Sequence, residues 1–380
     1  MTDLIVFGED WGAHPSSTQH LVSHLPGERR VVWVNSIGLR RPRLTPGDGG
    51  RVLRKLVSAV RPAAAAPARA AGPAAPGPVV QPIILPMARS AVARRLNRFL
   101  LARKVGAAAR AACLIRPVLW ISLPSAIDAV GALDESAVVY YCGDDFGALA
   151  GVDHARCLEM ETELAARADL ILAASPAMAA RFPAAKTHVL PHGVDLALFG
   201  TPAPRAADLP EGPVAGFYGT LAEWLDYDLI AATARLLPDW RFVFVGPIGT
   251  NISAIAGLPN VSLLGARPHA ALPSYVQHWT AGLIPFLDNA QIRASNPLKL
   301  REYLAAGRPI VATPFPAMQP YARHMAVATT PEGFAAALRA TLLDPPAAAA
   351  DRRAAVASES WEKRAATASA LIDGLAKVAT

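Results

Sequence analysis

The chain has 380 residues, of which 52% are hydrophobic and only 18% are charged, so it is long enough for two domains with substantial cores. Its three cysteines, Cys113, Cys142 and Cys157, form no C-x-x-C pair and accompany no His cluster, so we expect a reduced protein without a structural metal site. The formal charge of +7 is uneven: residues 40–116 hold 16 Lys and Arg against one acid, giving +15, while the remainder carries −8. This local charge favours an anionic surface or partner for that segment.

The first predicted elements are typical of an α/β domain. Residues 4–8 (LIVFG) and 31–35 (VVWVN) read as buried strands on either side of a helix at residues 17–25. Because Asp3 stands where a signal peptide carries basic residues, and no apolar run reaches spanning length, we expect a cytoplasmic protein without a transmembrane helix. Residues 61–78 are Ala/Pro-rich and of low complexity.

A basic helix is predicted at residues 90–112. Apolar residues recur there at helical spacing, with five Lys and Arg around them; the apolar residues are Val92, Leu96, Phe99 and Leu100. The segment can dock on anionic lipid, or it can be an ordinary packed helix with a basic outer face, and both interpretations stay open. Strands follow at PVLWISL (117–123), AVVYYCGD (137–144), LILAAS (170–175) and THVLPHG (187–193).

A Pro-rich linker at residues 201–213 precedes a second series of strands and helices. The strands of that series are VAGFYGT (214–220), RFVFVGP (241–247), VSLLG (261–265), AGLIPF (281–286) and RPIVAT (308–313). We therefore predict domains at 1–205 and 206–353, and a C-terminal helix within 354–380 that packs back on the first domain. Doubly wound domains of this kind bind ligands at the carboxyl ends of their strands.

The stretch NPLKLREYLAAGRPIVAT (296–313) predicts a helix that runs into a buried strand. Asn296 suits the N-cap, Pro297 the first helical position, and Gly307 the residue just past the end. At about 100° per residue, Lys299 and Glu302 lie roughly 60° apart on the side opposite the apolar face. That apolar face consists of Leu300, Tyr303 and Leu304.

Lys299 and Glu302 can form a nucleotide site or an ordinary ion pair. The start of a helix favours anions, and Lys299 adds an ammonium there, which suits a phosphate or pyrophosphate. Glu302, one turn further along, can accept hydrogen bonds from sugar hydroxyls such as those of a ribose. The alternative is a solvated face with an i,i+3 ion pair.

The motifs as a set resemble a known family. GFYGTLAEWLDYDLI, FVFVGP, LPNVSLLGARPHAALPSYV, LIPF and NPLKLREYLAAGRPIVAT look like the donor domain of GT-B glycosyltransferases, most nearly the bacterial type of teichuronic-acid biosynthesis. YYCGDDFGAL, ADLILAASPAMAARF and VLPHGVDLALF extend the likeness into the first domain, and it is weakest over residues 40–90. A more distant resemblance is to the xanthan glucuronosyltransferase type.

The resemblance implies a fold, an activity and roles for residues. The fold would be α/β of the GT-B class, with two Rossmann-like doubly wound domains. The activity would move a sugar from a nucleotide-diphosphate sugar, UDP or GDP, to a glycan or lipid-linked acceptor of surface polysaccharide synthesis, without cofactor or metal. Lys299 would meet the donor diphosphate and Glu302 the ribose. Asp144 would be the catalytic base, with Asp145 as the fallback.

Two departures from the family pattern concern stereochemistry. Many retaining relatives carry a second Glu eight residues before the ribose-binding one, and Ala294 stands there in this chain. The Arg and Lys-Gly phosphate pair after the first strand of the donor domain is also missing, and GTLAEWLDYD stands in its place. Retention of the anomeric configuration is therefore in doubt, and inversion gains ground.

Further donor contacts are predicted at turns and at the start of the helix. Gly219 and Thr220 follow one strand and Gly246 follows the next, where tight turns can bring backbone N–H groups to a phosphate or flank the base. Ordinary turn chemistry explains these residues equally well. Asn296 and Leu298, at the start of the helix, complete the predicted donor site.

An acceptor site is predicted in the loop after the first strand. Asp10, Trp11 and Gln19 lie there, and Trp11 can stack on a sugar ring or serve only as a packing lid. Two rival functions are a sugar-nucleotide epimerase of the same fold and a non-catalytic protein that binds anionic polymers through residues 40–116. Because that segment lacks interleaved aromatic residues, we expect no nucleic-acid partner, and we expect peripheral binding to the inner face of the cell membrane.

Overall fold

The computed structural model describes residues 2–12, 16–27, 29–37, 75–85, 89–147 and 153–378. Much of the basic segment 40–116, and the low-complexity stretch up to residue 74, lie outside the described residues. The chain divides into two compact units: unit 1 is residues 1–191 with 364–380, and unit 2 is residues 192–363. The units therefore part at 191/192 and 363/364, whereas the sequence suggested 205/206 and 353/354.

Unit 1 contains a sheet of seven parallel strands in the order β3-β2-β1-β4-β5-β6-β7. Its strands are β1 Leu4–Phe7, β2 Val31–Val34, β3 Val79–Val80, β4 Val118–Ile121, β5 Ala137–Cys142, β6 Leu170–Ala173 and β7 Thr187–Val189. The central strands are apolar along their whole length because helices cover both faces of such a sheet. The order reverses between β1 and β4, which places the switch point of a doubly wound fold there.

The helices of unit 1 connect these strands. They are α1 Ser17–Ser23, α2 Ala91–Ala111, α3 His154–Arg167, α4 Pro176–Ala179 and most of the C-terminal α13 Trp361–Val378. Short 3-10 turns lie at Pro124–Ala129 and Ala184–Lys186. The Arg29 guanidinium lies 2.7 Å from the Asp373 carboxylate, so α13 is joined to the segment before β2 by a buried ion pair within unit 1.

Helix α2 buries a different face from the one its apolar pattern indicates. The core side consists of Asn97, Leu101, Val105, Gly106 and Ala109. Val92, Leu96 and Phe99 instead keep 76%, 45% and 60% of their surface exposed. The interpretation of an ordinary packed helix is therefore wrong for the first half of α2, where the apolar residues point outward. We call these three residues the α2 stripe.

Unit 2 contains six parallel strands in the order β10-β9-β8-β11-β12-β13, which repeats the pattern of unit 1. Its strands are β8 Val214–Tyr218, β9 Arg241–Val245, β10 Val261–Gly265, β11 Ala281–Ile284, β12 Ile310–Ala312 and β13 Met325–Val327. The switch point lies between β8 and β11. Each unit is thus a doubly wound α/β domain, as predicted.

The helices of unit 2 cover both faces of this sheet. They are α5 Leu196–Gly200, α6 Tyr227–Leu236, α7 Ser253–Ala256, α8 Pro273–Val276, α9 Ala290–Ala294, α10 Leu298–Ala305, α11 Pro331–Ala340 and α12 Pro346–Val356. Shorter 3-10 segments lie at His269–Ala271, Pro316–His324 and Thr341–Leu343. Helix α10 packs against α5 and α12, so it has neighbours on more than one side.

The single C-terminal helix expected near residues 354–378 is two helices. Helix α12 ends at Val356, and α13 begins at Trp361 with the Ser360 hydroxyl accepting from the Lys363 amide at 3.3 Å. Between them, the Glu359 carbonyl accepts a hydrogen bond from the Val194 amide at 2.9 Å. The helix is therefore interrupted by a capping serine and by a backbone hydrogen bond to a distant segment. The local sequence can indicate the serine cap, but it cannot indicate the distant hydrogen bond.

Candidate functional site

Two glycine turns of unit 2 touch each other where β8 and β9 end. A Cβ atom on Gly246 would lie 2.0 Å from the Gly219 carbonyl oxygen, so only glycine fits at position 246. Gly219 itself has φ +125°, a conformation that favours glycine. The Gly219 amide donates to the Val245 carbonyl and the Gly246 amide to the Gly265 carbonyl, both at 2.9 Å. Both N–H groups are thus bonded to the backbone, and the roles of the Gly219 and Thr220 turn at a phosphate and of Gly246 beside the base stay predictions.

Lys299 lies beside these turns, in the first turn of α10. Its Nζ is 4.2 Å from the centre of the Phe217 ring and 5.5 Å from that of Phe286. A Cβ on Gly219 would lie 3.1 Å from this Nζ, so the absence of a side chain makes room for the ammonium. Desolvation by burial lowers the pKa of Lys299 to about 7. An anion at this position would compensate the charge and raise that pKa.

No carboxylate of the described residues pairs with Lys299 within salt-bridge distance. Among the described residues, its ammonium contacts the aromatic faces of Phe217 and Phe286, and such contacts are worth only about 0.5–2 kcal/mol. The local alternative of an i,i+3 ion pair with Glu302 is therefore wrong. Lys299 is left able to bind a ligand anion.

The two ends of helix α10 differ in how they are capped. Its N-cap is Pro297, which has no capping side chain, rather than Asn296. The Asn296 Oδ1 instead accepts from the buried Arg301 guanidinium at 2.6 Å. No side chain caps the first turn of α10, where the N–H groups of a helix have no partner within the helix itself. At the other end, Gly307 at φ +73° closes a Schellman motif.

Glu302 is buried and does not lie on the solvated face that the alternative interpretation requires. Only 6% of its surface is exposed, and its Oε1 lies 3.0 Å from the Nε2 of His269, which the 3-10 segment after β10 supplies. Burial and, to a smaller extent, the charge of Asp195 together raise the pKa of Glu302 to about 8. A buried carboxyl group with a single histidine partner retains acceptor capacity for a sugar hydroxyl.

Several residues of this site escaped the sequence analysis. Besides His269, the buried Arg301 donates to the Glu359 carboxylate at 2.6 Å, and the Tyr321 hydroxyl donates to the same carboxylate at 2.7 Å. This network fixes α10 against the turn after α12. His269 and Glu302 are 33 residues apart, and no local spacing signals their contact.

Two further predicted donor residues, Thr220 and Leu298, are the sequence neighbours of Gly219 and Lys299. Thr220 follows Gly219 and is exposed, and its methyl group would lie 3.1 Å from a Cβ on Gly249. Leu298 is half-buried as the first residue of α10. Ala294 ends helix α9 and provides no carboxylate at the position of the second family Glu.

The predicted base lies in unit 1, in the loop after β5. Although Asp144 is exposed at the surface, the protein around its carboxyl group desolvates it and raises its pKa to about 6. The charges of Glu9 and Asp145 contribute to the same rise. Asp145 is already engaged: its Oδ1 accepts from the Arg181 guanidinium at 2.8 Å and from the Gly147 amide at 3.0 Å. The geometry therefore distinguishes the two adjacent acids, and Asp144 is the one without a cation partner in these bonds.

The predicted acceptor residues lie together after β1, and each has a structural contact. The Asp10 carboxylate accepts from the Ser36 amide at 3.0 Å and from the Ser36 hydroxyl at 2.7 Å. Trp11 packs edge-to-face on Trp33 with ring centres 4.7 Å apart. Gln19 is buried and donates to the Asp10 carbonyl at 3.4 Å. The packing interpretation of Trp11 thus has direct support, and its sugar-stacking role stays a prediction.

Searches for a metal site or a membrane span gave no candidate within the described ranges. No group of three His, Cys, Asp or Glu residues among them could hold a metal ion. None of the helices in the same ranges is long and apolar enough to cross a bilayer.

Comparisons with known proteins place these features in a family context. Residues 212–344 match the family model described as "Glycosyl transferases group 1". The teichuronic acid biosynthesis glycosyltransferase TuaH of Bacillus subtilis is 34% identical over 169 residues. That match covers 41% of this chain and 43% of TuaH, so the chain spans less than half of the length of this relative.

Solved structures resemble the chain over its whole length. HepE of Anabaena in complex with UDP-glucose has a TM-score of 0.65 at 15% identity, and the match covers 100% of this chain and 99% of HepE. The trehalose 6-phosphate synthase of Burkholderia multivorans has a TM-score of 0.62 at 14% identity, with full coverage of both chains. The protein therefore has the GT-B fold, and the match to the family model lies within its second unit.

Proposed function

We propose that the protein transfers a sugar from a nucleotide-diphosphate sugar, with UDP or GDP as the nucleotide, to a lipid-linked acceptor in surface polysaccharide synthesis. The observation that carries the proposal is Lys299, a desolvated ammonium that lies beside the Gly219 turn at the switch point of unit 2 and pairs with no described carboxylate. The relatives support it: TuaH is described as a glycosyltransferase, and HepE was solved with UDP-glucose.

The donor diphosphate would bind at the start of α10. Its oxygens would accept hydrogen bonds from the Lys299 ammonium and the Leu298 amide, and the helix dipole would add to the attraction. These groups also stabilise the charge that develops on the leaving diphosphate, a role that requires no metal. Ribose hydroxyls would donate to Glu302 and either replace or join its contact with His269.

The transfer itself needs a base for the acceptor hydroxyl. In an inverting reaction the hydroxyl oxygen forms a bond to the anomeric carbon while the bond from that carbon to the diphosphate oxygen breaks. The hydroxyl proton passes to Asp144, and the electron pair of the broken bond leaves with the nucleoside diphosphate. A base with a pKa near 6 is better matched to neutral pH than an ordinary carboxylate. The absence of a carboxylate at Ala294 favours inversion.

The direct test is a thermal-shift screen with UDP-, GDP- and dTDP-sugars. A ligand at 100-fold its dissociation constant adds about 2.7 kcal/mol to the free energy of unfolding, so the true donor should stand out. The Lys299→Ala variant is the control and should lose most of the shift. Incubation with the selected donor alone then separates an epimerase, which would change the free nucleotide sugar, from a transferase, which would need an acceptor.

We further propose that the protein works at the inner face of the cell membrane through the α2 stripe. Val92, Leu96 and Phe99 share one face of α2 at about 100° per residue, and Arg95 and Arg103 are exposed beside them. An exposed apolar stripe flanked by arginines matches the chemistry of an anionic lipid surface, which attracts each cation by about 1 kcal/mol. Lipid-linked acceptors would be presented at that surface.

Two of the arginines that the sequence assigned to a basic outer face have other partners. Arg94 is paired with Asp128 at 2.7 Å and with Glu163 at 2.8 Å, and Arg98 donates to the Val130 carbonyl at 2.8 Å. Membrane contact would therefore depend on the exposed residues of the α2 stripe and its neighbours more than on the total charge of residues 40–116.

A further inference from the structure

The loop that presents Asp144 is held by one guanidinium that joins two carboxylates. Arg181, just after α4, donates through Nη1 to the Asp145 Oδ1 at 2.8 Å and through Nη2 to the Glu161 Oε2 in helix α3. Asp145 follows Asp144 directly in the sequence, so the Nη1 group of Arg181 binds the loop next to the proposed base. The three residues are 20 and 36 positions apart in sequence, which makes this a contact of the folded unit.

Glu161 is a firm anchor for the other end of the fork. Only 2% of its surface is exposed, and its Oε1 accepts from the Tyr140 hydroxyl at 2.6 Å. The Cys142 thiol lies 3.7 Å from the same oxygen and 3.5 Å from the Asp144 carbonyl oxygen. Tyr140 and Cys142 belong to β5, so the buried carboxylate connects the end of the strand, helix α3 and the loop.

We propose that Arg181 is a positioning residue: it fixes the loop at residues 143–147 to the buried Glu161 and thereby holds the Asp144 carboxyl group in place at the end of β5. This proposal rests on the proposed role of Asp144 in proton transfer. The fork geometry matters because a planar guanidinium donates to two carboxylates in fixed directions, whereas an ammonium acts as a point charge. Arg181 does not touch the reacting atoms.

The charges that act on Asp144 are known from the structure of unit 1. Glu9, from the segment after β1, and the neighbouring Asp145 both raise its pKa, in addition to desolvation. Glu9 accepts from the Ser16 hydroxyl at 2.6 Å. A substitution that keeps the positive charge at position 181 therefore leaves these electrostatic effects in place and changes mainly the geometry.

Arg181→Lys in the full chain is the test, because it keeps the charge and removes the fork. NMR titration of ¹³C-labelled aspartate carboxyl groups should show the pKa of Asp144 falling from about 6 toward the ordinary value near 4, as its carboxyl group moves away from the protein groups that raise it. Turnover should fall by about 10–100-fold with an unchanged KM for the donor, as expected for a misplaced base. An unchanged pKa of Asp144 in a folded Arg181→Lys protein would overturn the proposal.

Arg94→Lys is the matched control. Arg94 also bridges two carboxylates of unit 1, Asp128 and Glu163, and the Glu163 end lies on the same helix as Glu161. It should lose comparable thermal stability while leaving the pKa of Asp144 unchanged. If both variants shift that pKa equally, the effect is general loosening and the positioning role is wrong.

A second variant keeps the proposal testable if Arg181→Lys does not fold. Asp145→Ala removes the loop end of the fork and leaves the buried Arg181–Glu161 pair intact. The heteronuclear NOE of the Asp144 and Gly147 amides should fall, and an unchanged NOE would count against the tether. Failure of Asp144 as the base would appear separately, as normal turnover in Asp144→Asn with the NMR results unaffected.

Discussion

The two units share a strand order but differ in the charge they place at the carboxyl ends of their strands. Unit 2 places one desolvated cation, Lys299, beside glycine turns and a free helix start. Unit 1 places carboxylates there: Glu9 follows β1 and Asp144 and Asp145 follow β5. Burial lowers the pKa of Lys299 and raises the pKa of Asp144. Both pKa values therefore lie closer to neutral pH than the ordinary values of a lysine and an aspartate.

This difference teaches how one architecture can serve two halves of a transfer reaction. A desolvated ammonium gains most from an arriving diphosphate, whereas a carboxylate with a raised pKa is suited to take a proton. The same topology can therefore bind a leaving group in one unit and activate a nucleophile in the other, with the difference lying in a few loop residues.

The largest effect should come from Asp144→Asn in unit 1. The amide keeps the shape of the side chain but cannot take the proton, so turnover should fall by about two to four orders of magnitude while donor affinity stays intact. The measurement is release of nucleoside diphosphate from the donor in the presence of a lipid-linked acceptor. Near-normal turnover would remove Asp144 from the mechanism.

Asp145→Asn is the natural control for that substitution. Because Asp145 is already paired with Arg181 and Gly147, the neutral side chain should lower turnover far less than Asp144→Asn does. The reverse order of effects would identify Asp145 as the base and would show that the ion pair opens during the reaction.

The next largest effect should be a pH dependence of nucleotide binding that unit 2 alone produces. Free Lys299 loses its proton as pH rises through about 7, and UDP or GDP binds the charged form. Affinity should therefore fall toward tenfold per pH unit above pH 7, with a proton taken up on binding. Calorimetry in buffers of different ionisation enthalpy measures both, and Lys299→Met should abolish the slope. A slope that survives in Lys299→Met would assign it to another group.

The same shift makes a prediction about stability. The folded pKa of Lys299 lies below its unfolded value of 10.5, so the unfolded chain binds the extra proton between about pH 7 and 10.5. The contribution of this residue to the free energy of unfolding therefore rises with pH across that window. Lys299→Met should be relatively more stabilising at pH 7 than at pH 10 in urea unfolding, and a constant difference would contradict the depressed pKa.

A smaller effect is expected from Glu302→Ala, which should weaken a nucleoside and its diphosphate alike. Loss of one hydrogen bond to a ribose hydroxyl corresponds to about tenfold in affinity. Titration of uridine or guanosine beside the diphosphate checks this, and weakening of the diphosphate alone would place Glu302 at the phosphates instead.

The smallest effect concerns the α2 stripe. Phe99→Asp should reduce flotation with anionic liposomes by several-fold, because it replaces an apolar side chain of the stripe with a negative charge that anionic lipid repels. Leu343→Asp is the matched control: Leu343 is 85% exposed but lies in unit 2. Equal recovery on neutral and anionic vesicles, or equal loss in both variants, would exclude docking through the stripe.

The sequence predicted the fold well because its strands are continuous apolar runs separated by turn residues. The sequence also predicted that Gly219, Gly246 and Lys299 lie in one site. Each of them follows a strand or starts a helix, and these positions lie at the same edge of a parallel sheet. The approach of Gly246 to the Gly219 carbonyl requires glycine for reasons of space alone. Strand ends and helix starts can be recognised in a short stretch of sequence, which is why these positions were predictable.

What the sequence did not predict depends on which faces the tertiary structure covers. Periodicity places Glu302 opposite Leu300, but α5 and α12 pack on α10 and bury both sides. In α2 the apolar pattern left open whether Val92, Leu96 and Phe99 face the core or an external surface, and the core uses Leu101 and Val105. The pairing of Arg181 with Asp145 spans 36 residues and leaves no local signature.

The central claim is that unit 2 binds a nucleotide diphosphate through Lys299, and one ratio tests it most directly. Calorimetry at pH 7 gives the dissociation constants of a nucleoside and its diphosphate, UDP or GDP, for the natural protein and for Lys299→Ala. We predict that the preference for the diphosphate falls by about 10–100-fold in Lys299→Ala, the usual worth of a charged hydrogen bond, while nucleoside affinity stays the same. An unchanged ratio would contradict the assignment of Lys299 to the phosphate site.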